Sequence, residues 1–245
     1  MMDWHNRFVQ QSAWTSALRQ YLFEHTGMQS AGRVLEVGCG TGAILSDLVT
    51  RAIVHGLDLD ATRLAQARLH APQANLACAD ALWLPYAPGV FDITFCHFLL
   101  MWVRDPLQAL GEMKRVTRLG GSILALAEPD YTARVDKPDE LAQLGRWQTE
   151  SLRSQGADPG VGSRLELLFR QAGLQPIETG LLQQQGGPAP APGERDLEWA
   201  VLEADLGRRI PTQEMQRLKR LDETAWERGE RVLYVPTYWV FGTRT

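Results

Sequence analysis

The nine residues Val34-Leu35-Glu36-Val37-Gly38-Cys39-Gly40-Thr41-Gly42 constrain the fold of this chain more than any others. A short apolar run leads into a glycine-rich turn, and a helix is expected directly behind it over 43–51. Glycine accepts a positive φ and lets a ligand lie against bare backbone. The start of a helix offers N–H groups to a carboxylate or phosphate. Strand, turn and helix in that order predict a nucleotide-containing ligand at the tip of the first strand of an α/β sheet.

The rest of the chain supplies such a sheet. Runs at 33–37, 53–58, 75–80, 91–96 and 122–127 read as strands, and 61–70 and 106–118 as helices between them. That alternation predicts a mostly parallel, doubly wound, Rossmann-like sheet in three α/β/α layers. Phe8, Ala13, Trp14, Ala17, Leu18, Tyr21 and Leu22 recur at three-to-four spacing, which predicts one amphipathic helix over 8–25, free to pack over the ligand mouth. Beyond residue 131 the pattern loosens. Helices are expected at 138–155 and 164–172 and a strand at 174–182. Residues 186–193, rich in Gly and Pro, read as a semi-rigid linker. Two more helices follow, at 194–206 and 212–228. A last strand over 232–234 and 237–243 is interrupted by Pro236. We therefore expect a single domain, 1–245: a helical cap (1–32), the core (33–182), a helical insertion or lid (183–231) and the last strand (232–245).

Composition narrows the function. The net charge is −4 and there is no dense block of Lys and Arg, so a nucleic acid held by its phosphates is not expected. The three cysteines form no C-x-x-C pair. Neither a disulfide framework nor a structural zinc is expected, and a reducing compartment fits. No signal peptide and no apolar run of membrane-spanning length is seen. The expectation is a cytoplasmic protein with no metal and no membrane partner.

Gly38-Cys39-Gly40-Thr41-Gly42-Ala43 satisfies G-x-G-x-x-[GA], and Asp58 lies twenty residues past Gly38. On those facts a nicotinamide or flavin enzyme is allowed. Glu36 changes the balance. A carboxylate two residues before the turn repels a pyrophosphate and suits a cationic amine. Asp58 and Asp80 close the second and third strands. As acceptors they suit a ribose diol and an adenine amine.

At this point the chain resembles the class I S-adenosylmethionine-dependent methyltransferases. The resemblance is carried by Leu35-Glu36-Val37-Gly38-Cys39-Gly40-Thr41-Gly42, Gly56-Leu57-Asp58-Leu59-Asp60, Ala79-Asp80-Ala81-Leu82 with Leu84-Pro85-Tyr86, Phe91-Asp92, and Gly120-Gly121 before the fifth strand. More loosely, the segments at 156–165 and 172–174 are similar to the small-molecule branch of that family. The resemblance implies seven strands with the last antiparallel. It implies S-adenosylmethionine as cofactor, with Gly38, Cys39, Gly40 and Gly42 beneath the methionine part and Glu36 nearby. Asp58 is implied on the ribose and Leu59 against adenine, and Asp80 on the adenine amine with Ala81 and Leu82 alongside. Cys96 and His97 are implied beside the sulfonium. Arg19 or Gln11 is a candidate partner for the methionine carboxylate.

The implied reaction moves the sulfonium methyl to a small-molecule acceptor by in-line displacement. It needs no nucleophilic residue, and a base only if the acceptor must lose a proton. The candidate bases are His97, first among them, Asp130 and Tyr131, with Glu128 behind them. Asp158 and Arg164 either touch substrate or fix a loop. Phe98, Met101, Trp102 and Trp147 suggest apolar walls and a partly apolar acceptor. Base methylation lacks its Asn-Pro-Pro-[Tyr/Phe/Trp] and Pro-Cys signatures. The alternatives are an NAD(P)-dependent oxidoreductase and a non-catalytic S-adenosylmethionine-binding protein. The sequence is silent on oligomeric state.

Overall fold

The computed structural model describes residues 4–48, 52–182, 191–207 and 209–245. Helices α1 (Trp4–Trp14) and α2 (Ser16–His25) precede β1 (Arg33–Val37), α3 (Ala43–Asp47), β2 (Ile53–Asp58), α4 (Ala61–His70) and β3 (Asn75–Cys78). Then come β4 (Phe91–Cys96), α5 (Pro106–Val116), β5 (Thr117–Pro129), β6 (Val135–Lys137), α6 (Ala142–Ser154), α7 (Leu165–Gln171) and β7 (Gln175–Leu181). The chain closes with α8 (Pro192–Leu206), α9 (Thr212–Glu227), β8 (Val232–Tyr234) and β9 (Thr237–Thr243).

Seven strands form one sheet in the order β3-β2-β1-β4-β5-β9-β7, with β9 antiparallel to both neighbours and the other pairings parallel. This is the expected sheet. β1 is central because both its faces are apolar, as a strand covered on two sides requires. Leu35 and Val37 pack with Leu110, Met113 and Ile123 under α5, while Val34 packs with Leu22, Ile93 and Phe95 under α2. The period of two then places Glu36 on the α2 face, beside Val34. The chain reverses its strand order between β1 and β4, and ligands collect at such a point, at the carboxyl ends of the strands.

The helix starts obey local chemistry. The Asp60 side chain accepts the N–H groups of Thr62 and Arg63 at the head of α4. Asp105 accepts that of Gln108, with Pro106 opening α5.

Several boundaries differ from the sequence expectation. The single helix over 8–25 is two, broken at Thr15, and the first begins at Trp4. The Thr15 hydroxyl bonds back to the Ser12 carbonyl, which the Arg19 guanidinium also engages, so side chains take the place of a helical N–H. β3 ends at Cys78, before Asp80, and β5 runs well beyond 122–127 at both ends. The expected last strand divides. β8 leaves to pair with β6, and only β9 enters the main sheet. Pro236 lies at that parting, and its missing N–H suits it to a break rather than a ladder. α8 begins at Pro192, inside the expected linker, whose residues 186–190 lie outside the described ones. Of the helix expected over 43–51, Ala43–Asp47 is formed, Leu48 is extended, and 49–51 lie outside the described residues.

A separate apolar cluster joins α6, α8 and α9 through Leu144, Trp199, Leu202, Leu206, Met215 and Leu218. Beneath it lies a buried ionic group. Arg231 meets Asp222 at 2.5 Å and Asp136 at 2.8 Å, Arg134 meets Asp136 at 2.7 Å, and Trp199 donates to Asp222 at 2.9 Å. Every charge there has a partner, as burial demands. Through this group α8 is fixed in place.

Candidate functional site

A cavity of about 860 Å³ opens at the carboxyl ends of β1, β2 and β4. Its floor includes Glu36, Gly38, Cys39, Gly40, Asp58 and Leu59; Asp80, Ala81, Leu82 and His97 line it as well. Two of the residues implied for the cofactor are elsewhere. Gly42 sits at the head of α3, where a Cβ would lie 3.3 Å from the Ala67 backbone, so its task is packing against α4. Cys96 is fully buried on the opposite face of β4 from the α2-facing Phe95, with its Sγ 4.0 Å from Glu128. Burial pushes the thiols of both Cys39 and Cys96 upward, and neighbouring carboxylates push the same way. Neither is a nucleophile.

The glycine turn is tighter than its sequence implies. Gly38, Gly40 and Gly42 all have positive φ. The N–H groups of Gly38 and Cys39 both donate to the Leu57 carbonyl, that of Gly40 to Asp58 Oδ2 at 2.8 Å, and that of Gly42 to the Cys39 carbonyl. Free N–H groups were expected in this turn; these four are spent inside the protein. A pyrophosphate would find these four donors already engaged. Asp58 gives its other oxygen to the Asp60 N–H at 2.9 Å, so it braces the turn as well as facing the cavity. Each oxygen retains a further acceptor position. Asp80 similarly accepts the Leu82 N–H at 2.9 Å.

Alanine at Gly38 would place its Cβ 2.7 Å from Leu99 Cδ1, on a backbone at φ +77°. The left-handed conformation alone costs a residue with a Cβ about 1–2 kcal/mol. G38A is expected to lower unfolding free energy by at least that amount in urea titration. An unchanged midpoint would show that the turn relaxes.

Glu36 is the most unusual group in the cavity. It is 3% exposed, and its Oε2 is buried with no hydrogen-bond partner. Burial raises its pKa well above the ordinary carboxylate range; Arg19 opposes the shift and Asp58 adds to it. A buried acceptor without a donor is costly, and native proteins rarely keep one without a use. The atom asks for a donor from the cavity. A primary amine brings one together with a compensating charge. The residues present therefore fit S-adenosylmethionine.

The segment after β4 carries His97, Phe98 and Leu99 over the cavity. Phe98 has φ 51°, a positive value that a residue with a Cβ rarely adopts. Glu128, at the end of β5 and wholly buried, holds the segment from behind. It accepts the N–H groups of Leu99 (3.0 Å), Leu100 (2.9 Å) and Met101 (3.2 Å). Burial pushes its pKa up to about 7 against the pull of those three donors. His97 is half-buried, and its Nε2 lies 3.1 Å from the Thr15 hydroxyl. Burial first, and Arg19 second, push its pKa down to about 3.

Over the mouth lie α1 and α8. Trp4, Arg7, Phe8 and Gln11 of α1 reach the cavity, as do Val201, Ala204 and Asp205 of α8. The Arg7 guanidinium pairs with Glu198, and Gln10 donates to the Glu194 carbonyl at 3.3 Å. The Phe8 ring covers Gly40, where a Cβ would lie 3.0 Å from it, and Arg63 sits over the same ring at 5.5 Å. Asp205 takes the side-chain amides of Gln148 and Gln155, both at 3.1 Å. Tyr131 also lines the space, and burial raises its pKa.

Other sequence candidates fall outside. Arg19 is buried against the Ser12 carbonyl and Thr15 and does not line the cavity; Gln11 does. Asp130 caps the turn at Thr132, Asp158 pairs with Arg164 away from the cavity, and Trp147 packs into the α6–α8–α9 cluster. Arg7, Gln148 and Asp205 had no signal in sequence: they meet only because α1 and α8 close from distant parts of the chain. Among the described residues no group of three or more His, Cys, Asp or Glu is placed to hold a metal ion. No helix among them is long and apolar enough to cross a membrane.

The family described as "Methyltransferase domain" matches residues 35–125. O-methyltransferase rstn1 of Aspergillus nomiae is 30% identical over 173 residues, 67% of this chain and 73% of that protein. Elsewhere the matched region spans about a third to a half of the length of curated relatives. The [4+2]-cyclase SpnF shares the fold with a TM-score of 0.59 at 18% identity, over 93% of this chain and 80% of that one. Geranyl diphosphate C-methyltransferase from Streptomyces coelicolor, solved with S-adenosyl-L-homocysteine, does so with a TM-score of 0.58 at 14% identity, over 94% and 77%.

Proposed function

Since the chain belongs to the class I S-adenosylmethionine-dependent methyltransferases, we propose that it transfers a methyl group to a small-molecule acceptor held in the cavity beneath α1 and α8. The observation that carries this reading is the unpartnered, buried Oε2 of Glu36 at the cavity floor. S-adenosylmethionine, when bound, supplies a methyl on a positively charged sulfur, already activated for displacement. Glu36 would receive its amino group. Asp58, Leu59, Asp80, Ala81 and Leu82 would hold the adenosine, and Gln11 would meet the carboxylate.

The chain's own task is then alignment and dryness. Holding two reactants in line is worth roughly 7–11 kcal/mol of a barrier. Phe98, Met101, Trp102 and Leu152 give the acceptor space apolar walls, and Tyr131, Gln148, Gln155 and Asp205 give it a few polar points. That mixture suits a small, partly apolar acceptor. α1 and α8, joined by Arg7 and Glu198, act as its lid. With its pKa pushed down to about 3, His97 is poorly matched to proton removal, because a base serves best with a pKa near working pH. We assign it to orientation.

Ligand-dependent unfolding tests the reading. S-adenosylhomocysteine at a hundred times its dissociation constant is expected to add about 2.7 kcal/mol of stability, seen as a rise in melting temperature. NAD⁺ and NADP⁺ are expected to add none; the reverse pattern would sink the assignment. A second reading is a protein that binds the cofactor and moves no methyl; a [4+2]-cyclase shares this fold. Transfer of label from methyl-tritiated S-adenosylmethionine to any added phenol or amine would dispose of it.

A further inference from the structure

We propose that Asp205 of α8 is the anion that recognises the methyl acceptor, and that this acceptor is a small molecule carrying a protonated amine beside an apolar body. The proposal deepens the methyltransferase reading and rests on it.

Helical spacing brings the group together. Gln148, Leu152 and Gln155 follow one another at intervals of four and three, so α6 and its cap set them on one stripe, with Ser151 beside them. This stripe meets α8. Gln148 donates to Asp205 Oδ2 and Gln155 to Oδ1, both at 3.1 Å. The Ser151 hydroxyl donates to the Asp205 backbone carbonyl at 2.7 Å. One residue of α8 is thus held by three of α6 and its cap. Asp205, Gln148, Gln155 and Leu152 line the cavity, as do Val201, one turn before Asp205, and Ala204.

An arginine settles which way these bonds run. Arg134 gives Nε and Nη2 to Asp136, at 2.7 and 3.0 Å, and its Nη1 meets Gln148 Oε1. A guanidinium only donates, so the amide turns its oxygen there and its NH₂ toward Asp205. Gln155 also presents its NH₂, shared with the Ser151 hydroxyl at 3.4 Å, since its oxygen would oppose the carboxylate. Two neutral amides therefore orient Asp205 without cancelling its charge. A carboxylate has about four acceptor positions, and these amides fill two.

No cation answers that charge. Among the described residues no Lys, Arg or His forms an ion pair with Asp205. Arg134 belongs to the buried group in which two arginines balance two aspartates. Of the arginines lining the cavity, Arg7 pairs with Glu198 and Arg63 lies 3.5 Å from Asp60. Arg104 is exposed, and it borders a second, smaller pocket beside Trp83. Glu36 is reserved for the amine of the cofactor. Asp205 is left as the acid of the upper chamber with no opposite charge.

A charge beside Leu152, Val201 and Ala204 is poorly solvated and draws a counter-charge. A protonated amine brings that charge together with N–H donors for the open positions. Hydrocarbon attached to it would meet the apolar neighbours. A carboxylate or phosphate on the acceptor would be repelled. The amine so held is a handle and not the methylated atom: protonated, its nitrogen has no lone pair with which to attack.

The test is calorimetry on the full chain loaded with S-adenosylhomocysteine, with three probes of one skeleton: phenethylamine, phenethyl alcohol and phenylacetate. Phenethylamine is expected to bind about 10-fold more tightly than the alcohol, the scale of a hydrogen bond to a charged group, and phenylacetate most weakly. D205N keeps the shape and removes the charge, and should erase the difference between amine and alcohol. No measurable binding of the amine, equal binding of amine and alcohol in wild type, or a preference that survives in D205N would overturn the proposal. An Asp205 that only ties α6 to α8 gives that last result, with a loss of stability. The wild-type ranking decides the matter even if D205N does not fold. S-adenosylhomocysteine is titrated first. Its failure to bind would remove the methyltransferase reading and this proposal with it, whereas binding without an amine preference removes this proposal alone.

Discussion

Replacing Glu36 by Gln is expected to weaken S-adenosylhomocysteine binding by about 10- to 100-fold, since a hydrogen bond to a charged group contributes roughly 1.5–3 kcal/mol. The same change should raise the melting temperature of the free protein at pH 8. The two effects have one cause. In the free protein Glu36 Oε2 is buried without a donor, and burial outweighs the help of Arg19. A carboxyl whose pKa is raised by folding holds its proton more tightly when folded. Its contribution is full below the ordinary carboxylate range and is lost as pH climbs through the raised value. Gln carries no charge to lose, so its advantage should appear at high pH and vanish in acid, where the wild-type group is itself protonated. Calorimetry and melting curves at pH 5 and pH 8 check both halves. A less stable E36Q at pH 8, or one that binds as tightly as wild type, would remove Glu36 from the role given to it.

The second large effect is expected at Glu128. E128A leaves three buried N–H groups, those of Leu99, Leu100 and Met101, without an acceptor. At roughly 1–3 kcal/mol for each orphaned donor, the loss should reach about 3–9 kcal/mol in urea unfolding. E128Q should behave differently. Its carbonyl still serves Leu99 and Leu100, which share Oε1, and only Met101 is opposed. With a folded-state pKa of about 7 against an ordinary carboxylate value of 4.5, wild type should lose roughly 3 kcal/mol relative to E128Q as pH rises from about 4 to 8. The sign is fixed by the raised pKa: the contribution is full in acid and gone above neutrality. A wild-type-minus-E128Q difference independent of pH would show that Glu128 does not titrate in this range. Because the segment it holds carries His97 and the positive-φ Phe98, E128A should also loosen the cavity wall.

What the sequence made legible was local. β1, the glycine turn and the acids behind β2 and β3 lie within a few residues of the atoms they serve, so spacing alone located them. A mostly parallel, doubly wound sheet followed from alternating strands and helices, and its antiparallel last strand from the resemblance. The double duty of Asp58 was hidden, because a carboxylate facing a ligand and one bracing a turn are the same letter. Gly42 was read as a ligand contact when its neighbour is Ala67, in a helix a strand away. Thr15 falls inside the span expected as one helix. The spacing Ser12, Thr15, Arg19 was the available sign of a break, and it gains meaning only once His97 is beside it. The upper half of the cavity was illegible. Arg7 meets Glu198 across a separation of 191 residues, and no periodicity reports a contact of that span.

That span has a consequence for how the protein can change. Apart from Gln11 on α1, everything proposed to hold the cofactor lies on β1, β2 and β4 and the turns that follow β1 to β4, whereas the upper walls come from α1 and α8, far apart in the chain. The two halves are separately mutable. Substitutions in α1 or α8 can reshape the chamber above without disturbing Glu36, Gly38 or Asp58 below. On the proposed reading, the lower half is a socket for the cofactor and the upper half a roof whose α8 side could be redecorated for a different acceptor.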